Sequence, residues 1–115
     1  MALLADQGQA AGFGIWRGAL LAAHCGLMRS AAQPRAIGRF QHLETDPGWR
    51  RQGLCTSLVD AVTRWGFQNW HLERIVLCAD PNDVAIGIYQ GRGYRRIGRT
   101  GALMRRATRD RLAAT

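Results

Sequence analysis

The sequence predicts a single mixed α/β domain built on one sheet, in the order strand, strand, strand, helix, strand, helix, strand. Three observations point there. A window from Gly53 to Trp70 repeats Leu54, Leu58, Ala61, Val62 and Trp65 at three- and four-residue spacing, the stripe of an amphipathic helix. The run Arg74–Ala79 that follows is continuously apolar apart from its first residue, as in a covered strand. Upstream lie short segments separated by Gly and Pro turns. With 115 residues, the chain has room for one core and no second one.

The elements follow in order. Gly12–Trp16 and Leu20–Met28 read as two strands joined at Arg17-Gly18, and residues 1–11 read as a frayed lead-in. Gly18 and Gly26 favour strand over helix in the Ala-rich Leu20–Cys25. Pro34 places Ala31–Arg35 in a loop. From Ile37 to Thr45 strict alternation puts Ile37, Arg39, Gln41, Leu43 and Thr45 on one face. Gly38, Phe40, His42 and Glu44 fall on the other; neither face is purely apolar, which suits a strand bordering a site. Asp46-Pro47-Gly48 ends it. On the first helix Asp60 and Arg64 stand four apart in the favourable order. Asp80-Pro81-Asn82-Asp83 opens a second helix, with Asn82 or Asp83 as cap, carrying Ala85, Ile88 and Tyr89 on one side and stopping near Gly91–Gly93. Tyr94–Met104 reads as a last strand or hairpin, and Arg105–Thr115 as a frayed basic tail.

Composition narrows the function. Sixteen basic residues, all arginine, oppose eight acids, for a net charge of +8. Residues 50–115 carry most of it, with twelve Arg against five acids. Arginine is a planar bidentate donor to phosphate, so a phosphorylated partner is one reading; codon bias and solubility are the other. Hydrophobic residues make up 47% of the chain and charged residues 21%, which argues against disorder. The apolar runs fall short of the roughly 18 residues that span a bilayer, and MALLADQGQ lacks the basic n-region of a signal peptide. A cytoplasmic protein with no membrane partner is the expectation. Cys25, Cys55 and Cys78 show no CxxC spacing, and His24, His42 and His71 are scattered, so no metal site is expected.

The stretch Trp49–Cys55 lies between a strand end and the first turn of a helix. Unpaired N–H groups and the positive helix end make such a place an anion site. Gly53 lets a bulky diphosphate approach the main chain, and Arg50 and Arg51 add charge at its mouth.

Here Arg50-x-x-Gly53-x-Cys55 resembles motif A of the GNAT superfamily of acetyl-CoA-dependent N-acetyltransferases, with Cys55 in place of a small Gly or Ala. Leu43–Pro47 resembles that family's approach to the loop. Asn82-x-x-Ala85-x-x-x-Tyr89-x-x-x-Gly93-Tyr94 resembles its motif B. The resemblance covers residues from about Gly12 to Met104 and implies a GNAT-like α+β fold, truncated at the N-terminus. It implies that main-chain groups of Leu43, Glu44 and Thr45 hold the pantetheine arm of acetyl-CoA. It further implies that Arg50, Arg51, Gln52, Gly53, Leu54, Cys55 and Thr56 surround the diphosphate. Asn82 would touch the cofactor from the opposite side. Tyr89 would be the catalytic acid that protonates the leaving thiolate, transferring acetyl to an amine of a small molecule or protein.

Three departures from the family pattern stand out. No carboxylate stands out as the general base: Glu44 lies where the family offers backbone to the cofactor. His42 can point the same way, Gln41 can hold a water, and the base stays unassigned. Cys55 is either a tolerated small side chain or a modifiable thiol at a helix N-terminus. About eleven residues precede the first expected strand, where family members place a strand and helices that build the acceptor pocket. The uncovered sheet would invite a homodimer or a partner chain that completes the site. Two other functions compete: an acyl-CoA-binding module without turnover, and a nucleic-acid binder using Arg92, Arg95, Arg96, Arg99, Arg105, Arg106, Arg109 and Arg111 with Tyr94 or Trp70 stacking on bases.

Overall fold

A computed structural model describes residues 1–30, 36–80, 82, 85–98 and 101–107. One seven-stranded sheet runs β1 (Ala2–Asp6), β2 (Ala10–Arg17), β3 (Leu20–Arg29), β4 (Ile37–Thr45), β5 (Arg74–Cys78), β7 (Ala102–Arg106) and β6 (Arg95–Arg96) across its width. Helix α1 (Leu54–Asn69) carries the chain from β4 to β5, and α2 (Ala85–Gln90) from β5 to the β6–β7 hairpin. Every pairing is antiparallel except β4 with β5, where a crossover through α1 returns the chain in the same direction.

The mixed α+β architecture agrees with the sequence reading, but both ends are more ordered than expected. Ala2–Asp6 pairs with β2 as an edge strand, and Ala10 and Ala11 already belong to β2, so this stretch is not frayed. Arg105 and Arg106 lie in β7, opposite Ile75 and Arg74, rather than in a tail. Of the two expected caps, Asn82 lies three residues ahead of Ala85, from which α2 is described. Asn82 forms a turn in which its N–H donates to Asp80 Oδ1 at 2.9 Å, and Asp83 is outside the described residues.

Both helices share one face of the sheet. Phe13 stands edge-on to Trp65 of α1, ring centroids 4.9 Å apart, and Trp65 meets Trp70 at 5.1 Å. The core joins Phe13, Cys25, Leu27 and Phe40 of the sheet to Leu58, Val59 and Val62 of α1 and to Ile86 and Tyr89 of α2. The buried stripe of α1 therefore runs through Val59, Gly66 and Phe67 as well as Leu54, Leu58 and Val62, while Ala61 and Trp65 sit on its margin. Gly66 sets the approach of the helix. A Cβ there would stand 3.0 Å from both Leu27 and Leu72 and 3.2 Å from Ile75. On α2, Ile86 takes the inward position expected of Ile88, which is 48% exposed. β5 is covered on one face alone: Ile75 and Leu77 are buried and Cys78 is exposed, because the face opposite the helices has no cover among the described residues.

Burial sets the ionisable groups of this core apart. Desolvation, with a smaller push from nearby Cys55, raises the Cys25 thiol to about 12. Desolvation also raises the Tyr94 hydroxyl to about 12, while its 2.6 Å hydrogen bond with Thr63 Oγ1 and the charge of Arg105 oppose the rise. The Asp60 carboxylate faces Arg92 at 3.5 Å, across the gap between the helices, rather than Arg64 on its own helix.

Candidate active site

The alternation expected along β4 breaks at its middle. His24 of β3 pairs with Glu44 and Gly26 pairs with Gln41, so two residues of β4, His42 and Leu43, oppose the single residue Cys25. This is a β-bulge, and His42 absorbs it with φ 50°, a left-handed conformation uncommon outside glycine. One consequence is a change of face. Phe13 packs on α1 and is paired with Cys25, so Cys25 faces the helices and its neighbour His24 faces away. Glu44 and Gln41, paired with His24 and Gly26, share that helix-free face. His42 and Glu44 therefore do not lie together, as strict alternation implied.

Beyond the bulge the sheet opens. β4 and β5 pair only through Ile37–Arg39 and Arg74–Val76, and the strands part from Phe40 and Leu77 onward. The β5-facing main chain of β4 from Phe40 to Thr45 has no ladder partner on that side among the described residues. A cleft of about 190 Å³ fills the opening, bordered by His42, Leu43, Cys78, Ala79, Ala85 and Tyr89. Tyr89 is 5% exposed, and its hydroxyl shares a 3.0 Å hydrogen bond with Cys55 Sγ in the first turn of α1.

The turn into α1 is built from local hydrogen bonds. Asp46 accepts from Gly48 N–H at 3.0 Å on Oδ1 and from Trp49 N–H at 2.8 Å on its carbonyl, closing a 3-10 turn over Pro47–Trp49. Arg51 and Gly53 then take φ of 65° and 76° and swing the chain into the helix. Gly53 is the N-cap and contributes no side chain; a Cβ there would meet nothing within 4 Å. The space before the helix is thus open, and the first-turn amides of Leu54, Cys55 and Thr56 have no acceptor one turn back in the helix. Such a terminus attracts anions. Arg51 and Gln52 are exposed beside it, whereas Arg50 is turned back, its Nε donating to the Thr45 carbonyl at 3.3 Å.

On the helix-free face, His24 Nε2 stands 3.5 Å from Glu44 Oε2. The pair borders a second cleft with Leu21, Leu43, Asp46 and Arg50. Leu43 belongs to both clefts, so they meet at the bulge from opposite faces of the sheet.

Of the expected site residues, Leu43 and Tyr89 line the cleft between β4 and β5, with Cys55 joined to it through Tyr89. Glu44, Thr45 and Arg50 line the cleft on the helix-free face, and Gly53, Leu54 and Thr56 stand at the start of α1. Glu44 adds only its main chain to the β5 side, its carboxylate being on the other face. Asn82 lies in an exposed turn beyond β5, and it does not appear among the described residues that border the cleft. His24 was not singled out by the sequence; its pairing with Glu44 depends on a register that only the bulge explains. The Arg-rich end lacks the ring platforms expected of it, since Tyr94 and Trp70 are 2% and 7% exposed and cannot stack on a base.

A family model described as the acetyltransferase (GNAT) family matches residues 3–94. The chain belongs to the GNAT acetyltransferase family. No curated protein matches the sequence. Solved structures share the GNAT fold at low identity. An acetyltransferase from Bacillus subtilis in complex with CoA superposes with a TM-score of 0.73 at 12% identity, over 89% of this chain and 80% of that one. A GNAT-family acetyltransferase from Staphylococcus aureus gives 0.69 at 17% identity, over 87% and 69%. A dodecameric spermidine N-acetyltransferase from Vibrio cholerae gives 0.74 at 16% identity, over 87% and 66%.

Proposed function

We propose that this GNAT protein is an N-acetyltransferase that moves an acetyl group from acetyl-CoA to a primary amine. The observation that carries the reading is the parting of β4 and β5 beside Tyr89, in line with the open N-terminus of α1. The fit to acetyl-CoA is direct. A pantetheine arm needs main-chain partners in a narrow slot, and the β5-facing edge of β4 at Leu43–Thr45 offers them. A diphosphate needs N–H donors and positive charge, and the amides of Leu54–Thr56 and the side chain of Arg51 offer those.

Acetyl-CoA supplies the acetyl group as a thioester, so transfer forms an N–C bond, breaks the C–S bond and leaves a sulfur that needs a proton. Tyr89 carries its hydroxyl on the wall of the slot and gives that proton. Buried between α1 and α2, it has little freedom to move, and Cys55 holds the hydroxyl in place. The bulge at His42 and Leu43 turns main-chain groups toward the slot, where an N–H stabilises a developing oxyanion. The exposed Leu3 and Leu4 on edge strand β1, each 47% exposed, favour a homodimer.

Tyr89→Phe tests the assignment. Acetyl-CoA affinity is expected to stay within about threefold and turnover to fall about 10²-fold, the usual contribution of a positioned acid. Full turnover by the variant rejects Tyr89 as the acid. Binding of acetyl-CoA by the wild type without acetylation of any amine in a broad panel selects a non-catalytic acyl-CoA module instead.

A further inference from the structure

An ammonium ion has no lone pair, so the reaction proposed above needs a group that removes a proton from the acceptor before transfer. We propose that His24, held by Glu44, is that base, and that a cationic primary amine binds over the pair on the helix-free face. This rests on the acetyl-CoA reading of the slot.

His24 and Glu44 are direct cross-strand partners on β3 and β4, and both face away from α1 and α2. Tyr89 lines the slot from the helix side. Leu43 borders both clefts. An amine at His24 therefore reaches the opening from one face while the leaving sulfur is protonated from the other. His42 lines the Tyr89 cleft, on the leaving-group side, and is placed wrongly for an amine arriving opposite.

Charge agrees with this placement. The groups facing His24 are Glu44 on β4 and, in the segment after β4, Asp46 and Arg50; β2 presents only Gly14 opposite it. Asp46 is engaged with Gly48, and Arg50 with Thr45. Bonds to main-chain groups leave both charges in place. The cleft thus sets two carboxylates, Glu44 and Asp46, against one guanidinium, and this net negative lining attracts the ammonium. The Glu44 carboxylate faces Nε2, so the proton is taken on Nδ1, directly or through one water, and the imidazolium is stabilised by Glu44. The His24 side chain is 40% exposed and returns this proton to solvent. The amine lone pair then forms the N–C bond as the C–S bond breaks. Tyr89 protonates the sulfur, and the second amine proton restores the Tyr89 hydroxyl.

The test compares two acceptors, an alkylamine that is an ammonium at the assay pH and trifluoroethylamine, which is neutral there. His24→Gln is expected to lose about 10²-fold in kcat/KM with the alkylamine and less than about threefold with trifluoroethylamine. Glu44→Gln should show the same pattern in smaller degree, and His42→Gln should not. Without acetyl-CoA present, the His24 ring NMR signals should move as alkylamine is added. Equal losses of His24→Gln on both acceptors, no loss on either, the pattern appearing in His42→Gln, or unmoved His24 signals would each overturn the assignment. Acetyl-CoA calorimetry on the wild type and His24→Gln separates the two failures: no binding by either defeats the underlying reading, and equal binding without the acceptor pattern defeats the base alone.

Discussion

Cys55 Sγ and Tyr89 Oη stand 3.0 Å apart, joining the first turn of α1 to the last turn of α2 across 34 residues of sequence. The thiol occupies the motif A position that the family pattern fills with Gly or Ala, and it uses the extra atom to hold the hydroxyl of motif B. Removing it should release that hydroxyl without touching the main-chain amides. Cys55→Ala is expected to leave acetyl-CoA affinity within about threefold. It should lower kcat about fivefold, the rate equivalent of a hydrogen bond of about 1 kcal/mol. Cys55→Ser should restore most of the rate. An unchanged kcat in Cys55→Ala would show that the contact does not position Tyr89.

The buried Cys25 and Tyr94 give the fold a defined alkaline weakness. Their folded-state values of about 12 lie above the ordinary 9.0 and 10.0. For a raised group the stabilisation is complete below the unfolded value and is lost as pH climbs through the folded one. Stability should thus hold up to about pH 9.0 and decline from there to about 12, as the unfolded chain gives up protons that the native core retains. Denaturant midpoints across that window measure the decline. Tyr94→Phe combined with Cys25→Ala should flatten it, and an equally steep fall in that variant would contradict the assignment.

Gly66 fixes how closely α1 lies on the sheet. Gly66→Leu must push into Leu27, Leu72 and Ile75, and overpacking of this kind costs about 1–3 kcal/mol. Chemical denaturation should report a loss in that range, and no loss would mean that α1 shifts freely on the sheet.

The exposed apolar edge at Leu3 and Leu4 should be covered by a second copy of the chain. Light scattering at micromolar concentration is expected to give twice the monomer mass for the wild type and a lower mass for Leu3→Glu combined with Leu4→Glu. A monomeric wild type would rule the homodimer out.

Much of this arrangement is legible in the residues themselves. The helical spacing of Leu54, Leu58 and Val62 depends on neighbours in sequence, and the structure buries all three on α1; the turn at Gly53 is likewise local, and Gly53 is the N-cap of that helix. The bulge at His42 was not legible, because a one-residue insertion in a strand leaves no mark in composition while it reverses every later side chain. His24–Glu44 and Cys55–Tyr89 were missed as pairs for the same kind of reason: each needs the register of distant segments. Ala2–Asp6 is a strand through its ladder with β2, with three exposed residues at its centre and little alternation to reveal it. Ile88 was exchanged for Ile86 because a helix of six residues is too short for a period to fix its inner face.

The central proposal is that the opening between β4 and β5 and the α1 N-terminus together hold acetyl-CoA. Titration calorimetry of acetyl-CoA into the wild type and into Gly53→Val tests it most directly. The prediction is one saturable site per chain in the wild type, with affinity lowered at least about tenfold in Gly53→Val, where a β-branched side chain meets a left-handed backbone at the diphosphate mouth. No saturable heat in the wild type, or equal affinity in a folded Gly53→Val, would contradict it.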